Sequence, residues 1–205
     1  MPRGNRPPKV GMIFECAIGG PDLKVCEHLA RMLQPDISID RVPLLNKPNL
    51  IDQCAGVADT LLKTGCDRVL IIWDLDPGWG REPHCRGRDR AEILERLTQA
   101  GIDLSRVHLI CIEKMLEAWL LADGRALSRV LSTDPHPMTV GDTRHSERVN
   151  DPKRTLMKIY RQNGRTYNQV SDAIRIAQAL PDLSRIENCA TFRRFAEKVT
   201  GGRLR

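Results

Sequence analysis

Short continuous apolar runs alternate along the chain with stretches whose apolar residues recur every three or four positions. The runs at 10–14 (VGMIF), 37–42 (ISIDRV), 69–73 (VLIIW) and 107–112 (VHLICI) read as strands, and 69–73 is continuously apolar, as a strand covered on both faces should be. Between them lie helical patterns. Leu23, Cys26, Leu29, Ala30 and Leu33 follow a predicted cap at Asp22; Ile51, Ala55, Ala58, Leu61 and Leu62 follow one at Asn49 and end at Gly65; residues 88–100 end at Gly101. A fourth helix is predicted over 114–122, closed by Asp123-Gly124. The alternation predicts an α/β fold, a four-stranded, mainly parallel sheet flanked by helices with right-handed crossovers.

After Gly124 the pattern changes. STDPHPMTVGDTRHSERVNDP is polar and reads as a long loop, and helices rich in Arg and Lys follow at roughly 152–162, 168–179 and 183–199. The predicted organisation is a loose arm over 1–9, an α/β core over 10–125, and a loop with a helical extension packed on that core over 126–205. No internal repeat is evident.

Composition narrows the classes. Hydrophobic residues make up 41% of the 205 positions and aromatic ones 4%, so aliphatic side chains must fill the core. The net charge of +6 suits an anionic partner, nucleic acid first, although many soluble proteins are mildly basic. The seven cysteines show no CxxC pair and no zinc spacing with His, so free thiols in a reducing cytoplasm are expected. The apolar run behind the basic N-terminus is too short for a signal-peptide core, and no run approaches the length of a membrane span. A cytoplasmic protein with no membrane partner is expected.

Ligands of an open parallel sheet bind outside the carboxyl ends of its strands. Glu15 ends the first predicted strand, and Asp74-Leu75-Asp76 ends the third. If those strands are neighbours, three carboxylates converge. Their mutual repulsion would force one to keep a proton, unless a divalent cation such as Mg²⁺ is held between them. Residues i and i+2 of an extended chain point the same way, so Asp74 and Asp76 could both face a metal. Alternatively, DLDPGWG is only a turn. In IEKMLEAWLLAD, Glu113 and Glu117 lie four apart and offer a further ligand, Glu117 ahead of Glu113; ordinary helix-start acidity explains them equally well. Leu116, Trp119 and Leu120 read as core. Arg81, Arg86 and Arg88 follow the DxD closely enough to meet phosphate, and Lys153, Arg154, Lys158 and the Arg193-Arg194 pair are similar candidates. His84 could serve as a general acid or base. His28 and His108 read as structural, while His136 and His145 lie in the long loop.

A glutamate ending the first strand before a Gly-containing loop, with a DxD ending a later strand, resembles the Toprim domain of topoisomerases, primases and OLD-type nucleases. Adding IEKMLEAWLLAD (112–123), DPK (151–153) and NCATFRRF (188–195), the chain resembles a family of small stand-alone bacterial Toprim-like proteins, some of whose relatives occur in phage-defence or toxin-like settings. Where Toprim glutamates are usually followed by glycine, Cys16 stands here and the glycines come at 19 and 20.

The resemblance implies Mg²⁺- or Mn²⁺-dependent phosphoryl transfer on DNA or RNA, most simply by a nuclease. Glu15 would be ligand or general acid/base, Asp74 and Asp76 metal ligands, and Asp22 a further acidic position. The competing reading is a non-catalytic module that binds metal and nucleic acid as partner of a separately encoded ATPase, since the chain carries no GxxxxGK[ST] loop of its own. A weaker third is a phosphotransferase or phosphatase forming an aspartyl-phosphate on a small substrate. Self-association as a homodimer is left open.

Overall fold

The computed structural model describes residues 6–81 and 83–202. The predicted arm over 1–9 falls largely outside them. Strands β1 (Lys9–Phe14), β2 (Ser38–Pro43), β3 (Arg68–Asp74) and β4 (Val107–Ile112) form one sheet, ordered β2-β1-β3-β4 and parallel throughout. Helix α1 (Pro21–Leu33) links β1 to β2, α2 (Lys47–Lys63) links β2 to β3, and α3 (Arg86–Gln99) links β3 to β4. The α/β class with a four-stranded parallel sheet is as the sequence predicts.

Strand period sorts the apolar side chains to two faces. Val10, Met12, Phe14, Leu70, Ile72, Ile110 and Ile112 join one buried cluster with α1. Ile13, Val69, Ile71, Trp73, Leu109 and Cys111 join the other with α2 and α3. The first cluster also takes in residues of α4 (Glu117–Leu121), α5 (Gly124–Leu131), α6 (Pro152–Gln162), α7 (Gln169–Gln178) and α8 (Ala190–Thr200). The C-terminal helices therefore complete one face of the sheet. Trp119 fixes this junction: its ring packs on Phe192 and Phe195 at 5.4 and 5.5 Å, and its indole N–H donates to Thr191 Oγ1 at 2.8 Å.

Several local expectations change. Gly20, not Asp22, occupies the cap of α1, because Pro21 already starts the helix. Asn46 caps α2 by accepting from the Asn49 N–H, so the helix begins a turn earlier than Asn49 suggests. The helix expected over 114–122 shrinks to Glu117–Leu121, with Lys114 in a left-handed conformation ahead of it (φ 64°). Asp123 then caps a helix that was not predicted, α5, ahead of the long loop; its carboxylate accepts from the Arg125 and Ala126 N–H groups. The last predicted helix, 183–199, is a 3₁₀ turn at Ile186–Asn188 followed by α8.

Gly124 at the start of α5 lies against the long loop. A Cβ there would stand 2.2 Å from the Val140 carbonyl oxygen. Backbone must move to relieve that clash, so Gly124→Ala should cost about 1–3 kcal/mol, read as a lower urea midpoint. An unchanged midpoint would mean that the loop yields freely.

Candidate functional site

The strand order puts a switch point between β1 and β3. From their carboxyl ends the chain leaves to opposite faces, through α1 on one side and α3 on the other. A ligand-binding crevice is expected at such a point, and Glu15 and Asp74 stand there. β1 and β3 are hydrogen-bonded neighbours, with Phe14 paired to Ile72, so the two acids meet: Glu15 Oε1 accepts from the Asp74 backbone N–H at 3.0 Å. Asp74 Oδ2 accepts from the Leu116 N–H at 3.3 Å, tying β3 to the segment before α4.

Two further carboxylates join from the α1 face. Asp22, in the first turn of α1, lines the same enclosed gap as Glu15 and Asp74. Glu117 begins α4, only 1% exposed, and its Oε1 accepts from the Tyr167 hydroxyl at 3.3 Å. Each of the four keeps one buried oxygen with no hydrogen-bond partner: Glu15 Oε2, Asp22 Oδ1, Asp74 Oδ1 and Glu117 Oε2. Such orphaned acceptors are costly unless something else satisfies them.

The electrostatics follow from this burial. Desolvation pushes Glu15 up to about 8, against the opposing pull of Lys47 and of the Asp74 N–H. Burial and the nearby Glu117 push Asp22 up to about 7. Asp74 rises well above the carboxylate range, through burial first and then Asp22, Glu15 and Glu117, and burial also raises Glu117. Two ammonium groups answer the four acids. Lys153 faces Asp22 and Glu117. Lys47, 1% exposed, faces Glu15 while donating to the carbonyls of Leu75 and Pro77 at 3.0 and 3.3 Å, with Asp89 at 3.7 Å. The positive charge falls short.

The other predicted residues disperse. β3 ends at Asp74, so the two-residue period does not carry Asp76 into the gap. Asp76 instead contacts His84 Nδ1 and pairs with Lys114 at 3.8 Å, although it still lines the open cleft. Glu113 turns away to Arg86 at 3.3 Å. Arg81 is held by Asp89 and Glu92, and Arg88 donates to the carbonyls of Arg81 and Pro83. Arg86 borders a separate hollow of about 290 Å³ with Arg90 and Arg194. Lys153 lines the carboxylate cleft and donates to Gln169 at 2.6 Å. Lys47, Tyr167 and Gln169 were not singled out from the sequence. Lys47 alone left a signal there, as a lysine just beyond the second strand, but nothing marked it as buried.

The cleft above the gap has a volume of about 460 Å³ and is lined by Glu15, Asp22, Asp74, Asp76, Lys153 and the 16–20 loop among others. Cys16 folds over that loop: a Cβ on Gly20 would come within 2.9 Å of its Sγ, so the glycine is what lets the thiol sit there. The Cys16 thiol is pushed up to about 12 by burial and stays protonated.

A metal can be tested against these donors. Among the described residues no three His, Cys, Asp or Glu side chains are arranged to hold an ion as they stand. In kind the set fits a hard cation, which takes carboxylate oxygens and waters, and four such oxygens lack any partner. Loading would require their side chains to turn toward one point.

No helix among the described residues is long and apolar enough to cross a membrane, and the seven cysteines are free. Neither a curated protein nor a solved structure matches the chain. The sequence model of one protein family, described as a domain of unknown function (DUF4276), matches residues 22–200, a span that includes Asp22, Asp74, Glu117 and Lys153 and starts just beyond Glu15. With most of its length so matched, the chain belongs to the DUF4276 family.

Proposed function

We propose that this protein is a divalent-metal-dependent phosphoryl-transfer enzyme acting on nucleic acid, a nuclease. The observation that carries the reading is the group of four carboxylates at and beside the β1–β3 switch point, each with one buried oxygen that has no partner and together short of positive charge. One divalent cation would satisfy both needs. The Toprim resemblance of Glu15 and Asp74 and the net charge of +6 point the same way.

Glu15, Asp74, Asp22 and Glu117 would hold the ion. When bound, Mg²⁺ or Mn²⁺ supplies Lewis-acid stabilisation of phosphoryl oxygens and a more acidic water. The chain's own groups do the rest. Glu15, whose proton affinity in the metal-free site lies in the neutral range, would give up that proton as the ion binds. Lys153 is suited to orient a phosphate entering the cleft. Tyr167 holds Glu117 through its hydroxyl, and the Leu116 N–H holds Asp74. Asp76, engaged by His84 and Lys114, would act on the substrate side rather than as a ligand.

That engagement of Asp76 is also what favours the second reading, a non-catalytic module that binds metal and nucleic acid beside a separately encoded ATPase. Incubating the purified protein with labelled single- and double-stranded DNA and RNA, with Mg²⁺ or Mn²⁺, separates the two. Cleavage is expected near neutral pH and should stop in EDTA. If no substrate is cut under any of these conditions, the nuclease reading fails.

A further inference from the structure

Among the described residues six large apolar side chains are exposed: Ile18, Leu45, Trp79, Leu104, Met157 and Val170. Four of them, Ile18, Leu45, Trp79 and Val170, line the one cleft above the carboxylates. They come from four separate places, the loops after β1, β2 and β3 and the first turn of α7. Scattered exposed apolar residues need no explanation, but a ring of them around a single opening does.

Two of the four are also held in an unfavourable backbone conformation. Leu45 has φ 73° and Trp79 has φ 53°, values that side chains other than glycine rarely adopt. A strained backbone that ends in an exposed apolar side chain gives folding nothing in return. Strain of this kind gathers where a ligand is gripped. The chain is short of aromatic residues, yet it leaves this Trp on the wall of the cleft above the carboxylates.

We propose that the cleft receives an unstacked base of a single-stranded nucleic acid, with the Trp79 indole as its stacking platform and Ile18, Leu45 and Val170 around its edge. This deepens the nuclease reading and rests on it for the class of ligand. A base offers a flat apolar face to the rim while its phosphate meets the polar floor, where Lys153 is the cation within the cleft. In a duplex both faces of each base are covered by neighbours, so a duplex cannot present one here; a single strand can. The charge around the opening agrees. Trp73 forms a wall of the carboxylate gap and also of the hollow that holds Arg86, Arg90 and Arg194. The side chains of Arg90 and Arg194 make no hydrogen bond or ion pair with the described residues, leaving both guanidinium groups for the backbone of a strand that continues past the cleft.

The three tryptophans make the test direct. Trp73 is 2% exposed and Trp119 is 0%, whereas Trp79 is 48% exposed, so quenching of intrinsic fluorescence by acrylamide reads Trp79. The full chain is titrated in Ca²⁺, to suppress turnover, with a short mixed-sequence single-stranded oligonucleotide and with the same sequence as a duplex. The single strand should shield Trp79 and the duplex should not. Trp79→Ala should weaken binding of the labelled single strand roughly tenfold by fluorescence anisotropy, and Trp79→Phe should recover most of it. The proposal is overturned if neither nucleic acid alters the quenching, if the duplex shields equally, or if Trp79→Ala binds like the parent. Shielding without cleavage in Mg²⁺ would sustain the base-binding site and remove the nuclease; cleavage without shielding would do the reverse.

Discussion

Asp74→Asn is expected to reduce metal-dependent cleavage by at least ~10²–10³-fold while making the metal-free protein more stable above neutral pH. Both effects come from one carboxylate. Asp74 is the acid that touches most of the site: its N–H binds Glu15, its Oδ2 holds the Leu116 N–H, and its Oδ1 is buried without a partner. Removing a charge that meets developing charge in a transition state costs on the order of 10²–10³ in rate. In the apo protein the same carboxyl must keep a proton that the unfolded chain gives up, a cost to folding that grows with pH. An amide in its place keeps the acceptor for Leu116 and turns a donor toward the neighbouring carboxylates, which should stabilise by about 1–3 kcal/mol. Cleavage assays and urea denaturation in EDTA read the two effects separately. A variant that loses activity because it unfolds would fall in both, and a variant that keeps full activity would remove Asp74 from the chemistry.

The apo protein should lose stability as pH rises from about 6.5 to 8, and Mg²⁺ should restore it at the upper end. Glu15 is pushed up to about 8 and Asp22 to about 7, and Asp74 lies well above the carboxylate range. In the unfolded chain these groups titrate near 4. Between those limits the folded state holds protons that the unfolded state has released, so stability falls with pH. The stabilising contribution is complete below the unfolded value and disappears as pH passes 7 and 8. A tenfold difference in proton affinity is worth about 1.4 kcal/mol, and the cluster should lose about 2–4 kcal/mol over this window.

The window is chosen to be clean. Burial lowers His28 and His108, which works in the opposite sense as pH falls below about 6.5. Burial raises Cys26, Cys54 and Cys111, which adds a fall of the same sign only above about pH 8.5. Urea midpoints in EDTA at the two ends should therefore differ, and the difference should shrink in Glu15→Gln. Added Mg²⁺ should raise the midpoint at pH 8 far more than at pH 6.5, because binding must displace the retained protons. A flat profile would mean that the carboxylates are solvated or paired in solution.

The strands β1, β3 and β4 were legible because each is a nearly continuous apolar run, as a strand buried on both faces requires, whereas the edge strand β2 (SIDRVP) is partly exposed and was marked only by its Ile and Val positions and by Pro43. Helix starts were less so. Asp22 and Asn49 have the right chemistry for caps, but Pro21 and Pro48 set the first turn and moved the caps to Gly20 and Asn46. The loss of helix at 114–116 has a similar cause, since the left-handed Lys114 answers to its surroundings rather than to its own propensity. Within the site, Glu15 and Asp74 could be found from sequence because strand ends are recognisable. Asp76 shows the limit, because the alternation that placed it beside Asp74 stops when the strand stops.

By itself the sequence determined the α/β class, the four strands, the chain's positive balance and the acids at the ends of two strands, all of which depend on local pattern and composition. Only the tertiary structure decided that β1 and β3 are neighbours, that Asp22 is brought into the gap and Glu117 within electrostatic reach of Asp22 and Asp74, while Glu113 and Asp76 are drawn to Arg86, His84 and Lys114, and that Lys47 is buried facing Glu15. The physical reason is that a charge acquires its role from its burial and its neighbours. Those neighbours lie tens of residues away along the chain, where no local pattern records them.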